Sequence, residues 1–171
     1  MDGSAWSGGA GMKRIVITGI GGQSVRSISH ILAMALKELG YFVTLLFDYD
    51  SSIRNQKITG HLTYDERPIE NPIIDEADIL VRLHQKGDQL IAQKTLCDTG
   101  LCTDEEIPFG AMGIEGFGRA IFGNMIALGR LFRLVDLHMN PIELEKLLPK
   151  SYVKENLRAI QTGYDLNLYE D

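Results

Sequence analysis

Residues 13–47 read KRIVITGIGGQSVRSISHILAMALKELGYFVTLLF, and their pattern decides the fold. Lys13–Ile20 is a short, β-branched apolar run that ends among glycines, which is typical of a buried strand. Apolar residues recur at helical spacing over Val25–Leu39, and Gly40 follows where a C-terminal cap belongs. Tyr41–Phe47 is a second apolar run and predicts another buried strand. The stretch therefore predicts a βαβ unit with parallel strands and a right-handed crossover.

The rest of the chain continues this alternation and then becomes helical. Lys57–Tyr64 alternates apolar and polar side chains, which predicts a half-exposed strand. Further strands are predicted at Ala77–Leu83, Lys94–Cys97 and Ile107–Phe109, and a short helix at Gly87–Gln93. Helices are predicted at Glu115–Leu134, from Asn140-Pro141 onward, and from a Ser151 cap to Thr162, with Gly163 as the stop. We expect an α/β fold with a doubly wound, mostly parallel, Rossmann-like sheet and a helical C-terminal third.

Composition and charge exclude several classes of protein. The chain has 171 residues, of which 44% are hydrophobic and 23% charged, as in soluble proteins with their own core. Its net charge of −6 argues against nucleic acid or an anionic membrane as the main partner. Residues 1–11 are rich in glycine and predict a flexible leader or an expression scar, which leaves 12–171 as a single domain. We expect a cytoplasmic protein that neither spans nor binds a membrane.

The loop between the first strand and the first helix is a candidate anion site. It contains Gly19, Gly21, Gly22, Gln23 and Ser24. A strand that opens through glycines into a helix presents free N–H groups, and the helix dipole favours negative charge there. Ser24 stands where the dinucleotide fingerprint has its third glycine. The pattern leaves two interpretations open: a phosphate or nucleotide site, or a tight turn in which Ser24 caps the helix.

A second loop, which follows the second strand, carries Arg54. Its guanidinium group suits bidentate binding of phosphate or carboxylate, and the alternative is a solvated loop. Both loops follow the carboxyl ends of strands, where open α/β sheets bind ligands, so we expect them to share one crevice. Asp48 and Asp50 lie near the position expected for a ribose-binding carboxylate.

Three other features have structural and functional interpretations. Small residues recur at helical spacing in the late helix and allow another helix to approach closely, in this chain or in a partner: Gly116, Ala120, Gly123 and Ala127, with Asn124 beside them. Cys97 and Cys102 supply half of a metal site, so we expect one buried strand thiol and one loop thiol instead. The four histidines are scattered and do not predict a metal site.

Motifs along the whole chain add a family resemblance. After Gly19-Ile20-Gly21-Gly22-Gln23 come Ile31–Leu36, Gly40-Tyr41-x-Val43, Glu76–Leu80, Asn124–Gly129 and Leu157-x-Ala159-x-x-x-Gly163-Tyr164. In this order, from about Met12 to Tyr164, they resemble the gamma subunit of 2-oxoacid:ferredoxin oxidoreductases, which include pyruvate synthase and the 2-oxoglutarate, 2-oxoisovalerate and indolepyruvate enzymes. The chain departs where Ser24 replaces a glycine and where Asn55-Gln56 replaces a Gly-Gly pair. If those glycines are needed for positive φ, the loops must differ here.

The resemblance implies a non-catalytic subunit that braces alpha, beta and ferredoxin-like partners near the coenzyme A approach. Thiamine diphosphate, iron–sulfur clusters and coenzyme A belong to the complete complex and not to this chain alone. By the same resemblance the glycine-loop residues, Arg54 and Asn55 are ligand-binding, whereas Gln56 joins the small-residue stripe at an interface. The isolated chain is a candidate homodimer. The alternatives are a stand-alone nucleotide-binding protein and a divergent interaction module without ligand.

Overall fold

The structure, a computed structural model, describes residues 11–21, 24–52, 56–72, 75–102 and 105–167. Its packing divides the chain into two compact units that meet in sequence between Pro108 and Phe109. The first unit holds the sheet and one helix, and the second holds four helices. The predicted α/β class with a helical C-terminal third is confirmed, and the single domain over 12–171 stays a prediction. The predicted leader, apart from Gly11, lies outside the described residues.

The described strands of the first unit form one mixed sheet in the order β2-β3-β1-β4-β5-β6. They are β1 (Lys13–Ile20), β2 (Phe42–Asp50), β3 (Lys57–Asp65), β4 (Glu76–Arg82), β5 (Ile91–Cys97) and β6 (Glu105–Glu106), with α1 (Val25–Glu38) between β1 and β2. The β1–β4, β4–β5 and β5–β6 pairs are parallel. Strand β3 is antiparallel to both β1 and β2. Strands β1 and β2 therefore run in the same direction, as the βαβ unit predicts, but β3 separates them.

The position of β3 reverses the burial predicted for β2 and β3. Strand β3 was expected to be half-exposed, yet most of its residues are buried because it lies between two other strands. Strand β2 was expected to be buried, yet it is the edge strand, and Phe42 and Leu46 are 49% and 50% exposed. Both predictions were wrong because strand order is set by pairing between segments distant in sequence.

Helix α1 follows its prediction closely. Its apolar stripe is buried, including Ile28, Leu32 and Leu36. Gly40 adopts φ +95°, and the next N–H, that of Tyr41, donates to the Leu36 carbonyl at 3.2 Å. This left-handed glycine ends the helix and turns the chain into β2.

Two short elements of the first unit differ from prediction. The segment predicted as a helix over Gly87–Gln93 is not helical: residues 87–90 are irregular, and β5 already begins at Ile91. The strand predicted over Ile107–Phe109 lies earlier, at Glu105–Glu106. Phe109 instead begins the first helix of the second unit.

The second unit contains α2 (Phe109–Phe117), α3 (Phe122–Leu134), α4 (Pro141–Leu147) and α5 (Val153–Asp165). The single helix predicted over Glu115–Leu134 is wrong, because the chain breaks at Gly118, which has φ +80°. The predicted start of α4 is confirmed: the Asn140 Oδ1 accepts the Ile142 N–H at 2.9 Å. The last helix has Tyr152 rather than Ser151 at its N-cap and continues through Gly163.

Glycine allows α3 and α5 to cross with their backbones in contact. A Cβ built on Gly129 would overlap the Ile160 carbonyl, and a Cβ built on Gly163 would overlap the Ile126 carbonyl. Gly163 is therefore a packing residue of α5, which explains why it does not end the helix. No helix among the described residues is long and apolar enough to cross a membrane.

Candidate functional site

The two loops predicted to share a crevice meet at the carboxyl end of β1. The Gly21 N–H donates to the Gln56 carbonyl at 2.9 Å, which ties the β1–α1 loop to the β2–β3 loop. The pairing of Ile20 with Lys57 places both loops at one edge of the sheet. Gly22, Gln23, Arg54 and Asn55 lie outside the described residues.

Both of the described departures from the family's glycines keep a left-handed backbone. Ser24 has φ +57° and Gln56 has φ +31°. A residue with a Cβ pays roughly 1–2 kcal/mol for that conformation. The loops therefore retain a conformation that favours glycine, instead of changing it as the replacements suggested.

Ser24 occupies the N-cap position of α1 but does not cap it through its side chain. Its carbonyl accepts the Ile28 N–H at 3.0 Å, which starts the helix. Its hydroxyl forms no capping hydrogen bond within the part of the chain that the structure describes. The tight-turn interpretation is thus correct for the backbone of Ser24 and wrong for its side chain.

A closed ring of polar groups beside these loops joins β1 and β3 to the loop between β4 and β5. The Asp88 N–H donates to the Thr18 Oγ1 at 2.9 Å, and the Thr59 hydroxyl donates to the Asp88 Oδ2 at 2.6 Å. The two threonine oxygens are 2.8 Å apart. Since the Thr59 proton is directed to Asp88, the Thr18 hydroxyl donates to Thr59 and closes the ring.

Lys57 completes this ring with a cation. Its Nζ lies 2.5 Å from the Asp88 Oδ1, and its side chain is 21% exposed. The hydrogen bond to Asp88 raises the pKa of Lys57. Burial opposes ionisation of Asp88, but the hydrogen bonds from Lys57 and Thr59 outweigh it and lower the pKa of that carboxyl group. Both groups are charged at neutral pH, and Lys57 directly follows Gln56, the left-handed residue at the end of the β2–β3 loop.

Sequence reasoning missed this ring. Lys57 and Asp88 are 31 residues apart, and no spacing rule links them. The sequence shows only a threonine within each of two predicted strands, Thr18 and Thr59, and the structure shows that both are fully buried. A buried hydroxyl needs a partner, so these threonines indicate a polar contact at this end of the sheet.

The two aspartates considered as ribose-binding groups have local partners. The Asp48 Oδ2 lies 3.0 Å from the His61 Nε2 on the neighbouring strand. The Asp50 Oδ1 accepts both the Ser52 hydroxyl and the Ser52 N–H. The hydroxyl bond contributes most to lowering the pKa of Asp50. These contacts order the end of β2 ahead of the Arg54 loop.

The predicted small-residue stripe does not lie on one helix: Gly116 is in α2, Ala120 is in the turn after it, and the other members are in α3. Gly116 and Ala120 are exposed and precede the start of α3, so they do not share a helix face with the other members. Gly123 packs against the backbone of Phe109 in α2, an intramolecular contact. Ala127 and Asn124 are buried within the second unit's helix α3.

The two cysteines are joined as a disulfide, contrary to the expectation of two separate thiols. Cys97 ends β5 and Cys102 lies in the following loop, with their Cα atoms 6.1 Å apart. This separation lies within the normal range for a disulfide. Elsewhere in the described ranges there is no group of three or more His, Cys, Asp or Glu residues placed to hold a metal.

Comparison with known proteins identifies a family. The profile of the family described as pyruvate ferredoxin/flavodoxin oxidoreductase matches residues 14–100, just over half of the chain. The chain is 26% identical to the 2-oxoglutarate synthase subunit KorC of Archaeoglobus fulgidus, over 89% of this chain and 86% of that protein.

Two solved structures share the fold. The gamma subunit of a keto/oxoacid ferredoxin oxidoreductase from Geobacter sulfurreducens has a TM-score of 0.71 at 21% identity, over 91% of this chain and 95% of that one. The 2-oxoglutarate:ferredoxin oxidoreductase of Magnetococcus marinus, solved with 2-oxoglutarate, coenzyme A and succinyl-CoA, also has a TM-score of 0.71, at 17% identity. The match covers 90% of this chain but only 30% of that longer one.

Proposed function

Because this chain belongs to the pyruvate ferredoxin/flavodoxin oxidoreductase family, we propose that it is the gamma subunit of a 2-oxoacid:ferredoxin oxidoreductase. The Archaeoglobus relative, a subunit of 2-oxoglutarate synthase, covers most of this chain and supports the same role. In that role the chain braces alpha, beta and ferredoxin-like subunits and supplies no catalytic residue. The relatives do not favour a stand-alone nucleotide-binding protein or an interaction module without ligand.

The cofactors of the complete complex are held by the partner subunits in this proposal. An iron–sulfur cluster is usually held by four cysteine thiolates, whereas this chain has two cysteines. The residues that the structure describes therefore do not fit such a cluster. Thiamine diphosphate, when bound by the partners, supplies the chemistry of 2-oxoacid decarboxylation.

The carboxyl edge of the sheet is the part of this chain that we assign to the coenzyme A approach. The observation that carries this assignment is the Gly21–Gln56 hydrogen bond, which joins the two loops next to Lys57 in the chain. The phosphates of coenzyme A are anions, and backbone N–H groups at a helix start together with a cation suit them. Arg54 either adds a second cation there or contacts a partner subunit.

The 2-oxoacid is selected by the partner subunits, and 2-oxoglutarate is our first candidate because the relative belongs to a 2-oxoglutarate synthase. Pyruvate and indolepyruvate are the next substrates to test. We place the complex in the cytoplasm, where a chain of net charge −6 remains soluble.

Native purification from the source cell tests the subunit role. The tagged chain serves as bait, and the captured material is assayed for thiamine diphosphate, iron and dye reduction that depends on each 2-oxoacid. We expect alpha and beta partners, both cofactors and activity with one of the acids. Recovery of the chain alone, as a monomer or homodimer, would overturn the proposal.

A variant of Lys57 tests the ligand edge within the complex. Lys57→Ala removes the cation, and we expect the KM for coenzyme A to rise about tenfold while kcat with saturating coenzyme A changes little. Lys146→Ala, on α4, is the matched control and should leave both constants unchanged. An unchanged KM in the Lys57 variant would show that this edge of the sheet does not contribute to coenzyme A binding. That result would not contradict the subunit role.

A further inference from the structure

The disulfide lies beside the polar ring and is connected to it through one arginine. Arg82 ends β4 and pairs with Cys97 on one side and with Thr18 on the other. Its Nη1 donates to the Leu101 carbonyl at 3.2 Å, inside the loop that the disulfide closes. Its Nη2 donates to the Gln85 carbonyl at 2.5 Å, in the loop that leads to Asp88. Arg82 thus bridges the disulfide loop, residues 97–102, and the Asp88 loop, residues 83–90.

The backbone reinforces this bridge on both sides. The Asp98 N–H donates to the Arg82 carbonyl at 3.2 Å, and the Leu101 N–H donates to the Asp98 carbonyl at 3.2 Å. On the other side the Leu83 N–H donates to the Thr18 carbonyl at 2.9 Å. The position of the Leu101 carbonyl therefore depends on a short loop whose two ends are tied by the disulfide.

Both thiols have an acceptor when the bond is open. The Cys97 Sγ lies 3.8 Å from the Glu105 carbonyl, and the Cys102 Sγ lies 4.0 Å from the Thr95 carbonyl. A reduced pair therefore leaves neither sulfur without a partner.

We propose that Cys97 and Cys102 form a redox-sensitive clasp that sets the order of the Asp88 loop through Arg82. Its consequence for coenzyme A rests on the proposed function, because only then does the Asp88–Lys57 contact face a ligand. The reductant is a dithiol of the thioredoxin class or a small dithiol reagent. The oxidised clasp holds the Lys57 ammonium group in place, and the reduced clasp releases the 83–90 loop.

Thiol–disulfide exchange with the reductant begins at Cys102, because Cys102 is half-buried whereas Cys97 is fully buried. A thiolate of the dithiol attacks the Cys102 Sγ, the intramolecular S–S bond breaks, and Cys97 leaves as a thiolate that takes up a proton. The second thiol of the reductant then attacks the mixed disulfide and releases Cys102 as a thiol. The reductant departs as its own disulfide, having given two electrons and two protons to the pair.

Amide hydrogen exchange on the full-length chain, without ligand or partner, tests the clasp. The chain is equilibrated in buffers of reduced and oxidised dithiothreitol, and thiol alkylation reports the state of the pair. On reduction we expect exchange to become about tenfold faster at Asp98 and Leu101 and also at Gly87 and Asp88. Amides of α5 serve as the internal reference and should not change.

The variant Arg82→Lys breaks the connection between the two loops but keeps the disulfide. Lysine lacks the planar guanidinium group whose two nitrogens donate to the Leu101 and Gln85 carbonyls. Reduction of this variant should accelerate exchange in the 97–102 loop but no longer in the 83–90 loop. Equal exchange of the 83–90 loop in the two states of the wild-type chain would overturn the proposal, whatever the variant does. Full alkylation of both thiols after oxidising treatment would overturn it as well. Neither result bears on whether the chain captures alpha and beta partners.

Discussion

Glycine supplies space where α3 crosses α5, whereas the family's glycines at the carboxyl edge of the sheet would supply backbone conformation. At the crossing, Gly129 and Gly163 each face a backbone carbonyl that a Cβ would overlap. At the edge, Ser24 and Gln56 replace family glycines and still adopt positive φ. The difference is that a left-handed backbone costs a residue with a Cβ only a modest free energy, whereas two backbones in contact leave no volume for a side chain.

The largest expected effect is at the helix crossing. Gly163→Ala would push the added Cβ into the Ile126 carbonyl, so the helices must separate or shift. We expect a loss of about 3 kcal/mol or more in the free energy of unfolding, measured by urea denaturation. Gly116→Ala is the matched control, because, apart from its own helix backbone and chain neighbours, none of the described atoms lies within 4 Å of its added Cβ. That variant should gain up to about 1 kcal/mol from helix propensity, and an equal response of the two variants would contradict the packing argument.

The polar ring beside the loops is expected to give an intermediate effect. Asp88→Asn removes the charge that pairs with Lys57 and should lower the free energy of unfolding by about 1–2 kcal/mol at pH 7. Glu38→Gln, on the exposed end of α1, is the control and should change stability little. A loss no larger than that of the control would show that the ion pair is fully screened by solvent.

The difference in free energy of unfolding between wild type and Asp88→Asn depends on pH in a direction that the two pKa shifts define. The folded pKa of Asp88 lies below its ordinary value of 3.8, so its contribution is present above that value and is lost as pH falls through the lowered pKa. The folded pKa of Lys57 lies above its ordinary value of 10.5, so its contribution is present below that value and is lost as pH rises through the raised pKa. The stability difference between wild type and Asp88→Asn should therefore be flat through neutral pH and shrink at both extremes. Unfolding curves at a series of pH values check this, and a difference that grows at acid pH would reverse the assigned sign.

Replacing Ser24 at the start of α1 should give a small gain in the free energy of unfolding. Ser24→Gly removes the strain of a Cβ at φ +57° but also adds entropy to the unfolded chain, so the net gain should be about 0.5–1 kcal/mol. Ser27→Gly, three residues further into α1, is the matched control and should lose about 0.5 kcal/mol or more, because its backbone is helical. Thermal denaturation of the two variants decides whether the loop keeps its left-handed conformation in solution. A loss of stability in both would indicate that it does not.

Local signals explain what the sequence could predict. Helix α1, its Gly40 end and the Asn140-Pro141 start of α4 each depend on residues within a few positions of one another. The meeting of the two loops also followed from a general rule, since both come after strands that run in the same direction. The glycine that breaks the late helix, Gly118, was visible but was outweighed by the apolar periodicity around it.

Long-range pairing explains what the sequence could not predict. The insertion of β3 between β1 and β2 depends on two antiparallel ladders, and it made the alternating strand a central one. The Lys57–Asp88 contact joins β3 to a turn after β4, and only the fold places them together. The bond between Cys97 and Cys102 depends on how the chain turns after β5, which two cysteines five positions apart do not determine.

Reconstitution of the complex with and without this chain tests whether the chain is a required subunit. The alpha, beta and ferredoxin-like subunits from the source cell are assembled with and without this chain, and acyl-coenzyme A formation from the 2-oxoacid is measured. We expect that acyl-coenzyme A formation depends on this chain and that Lys57→Ala raises the coenzyme A concentration needed for the half-maximal rate. Full activity of the partners without this chain, at the same coenzyme A concentration, would contradict it.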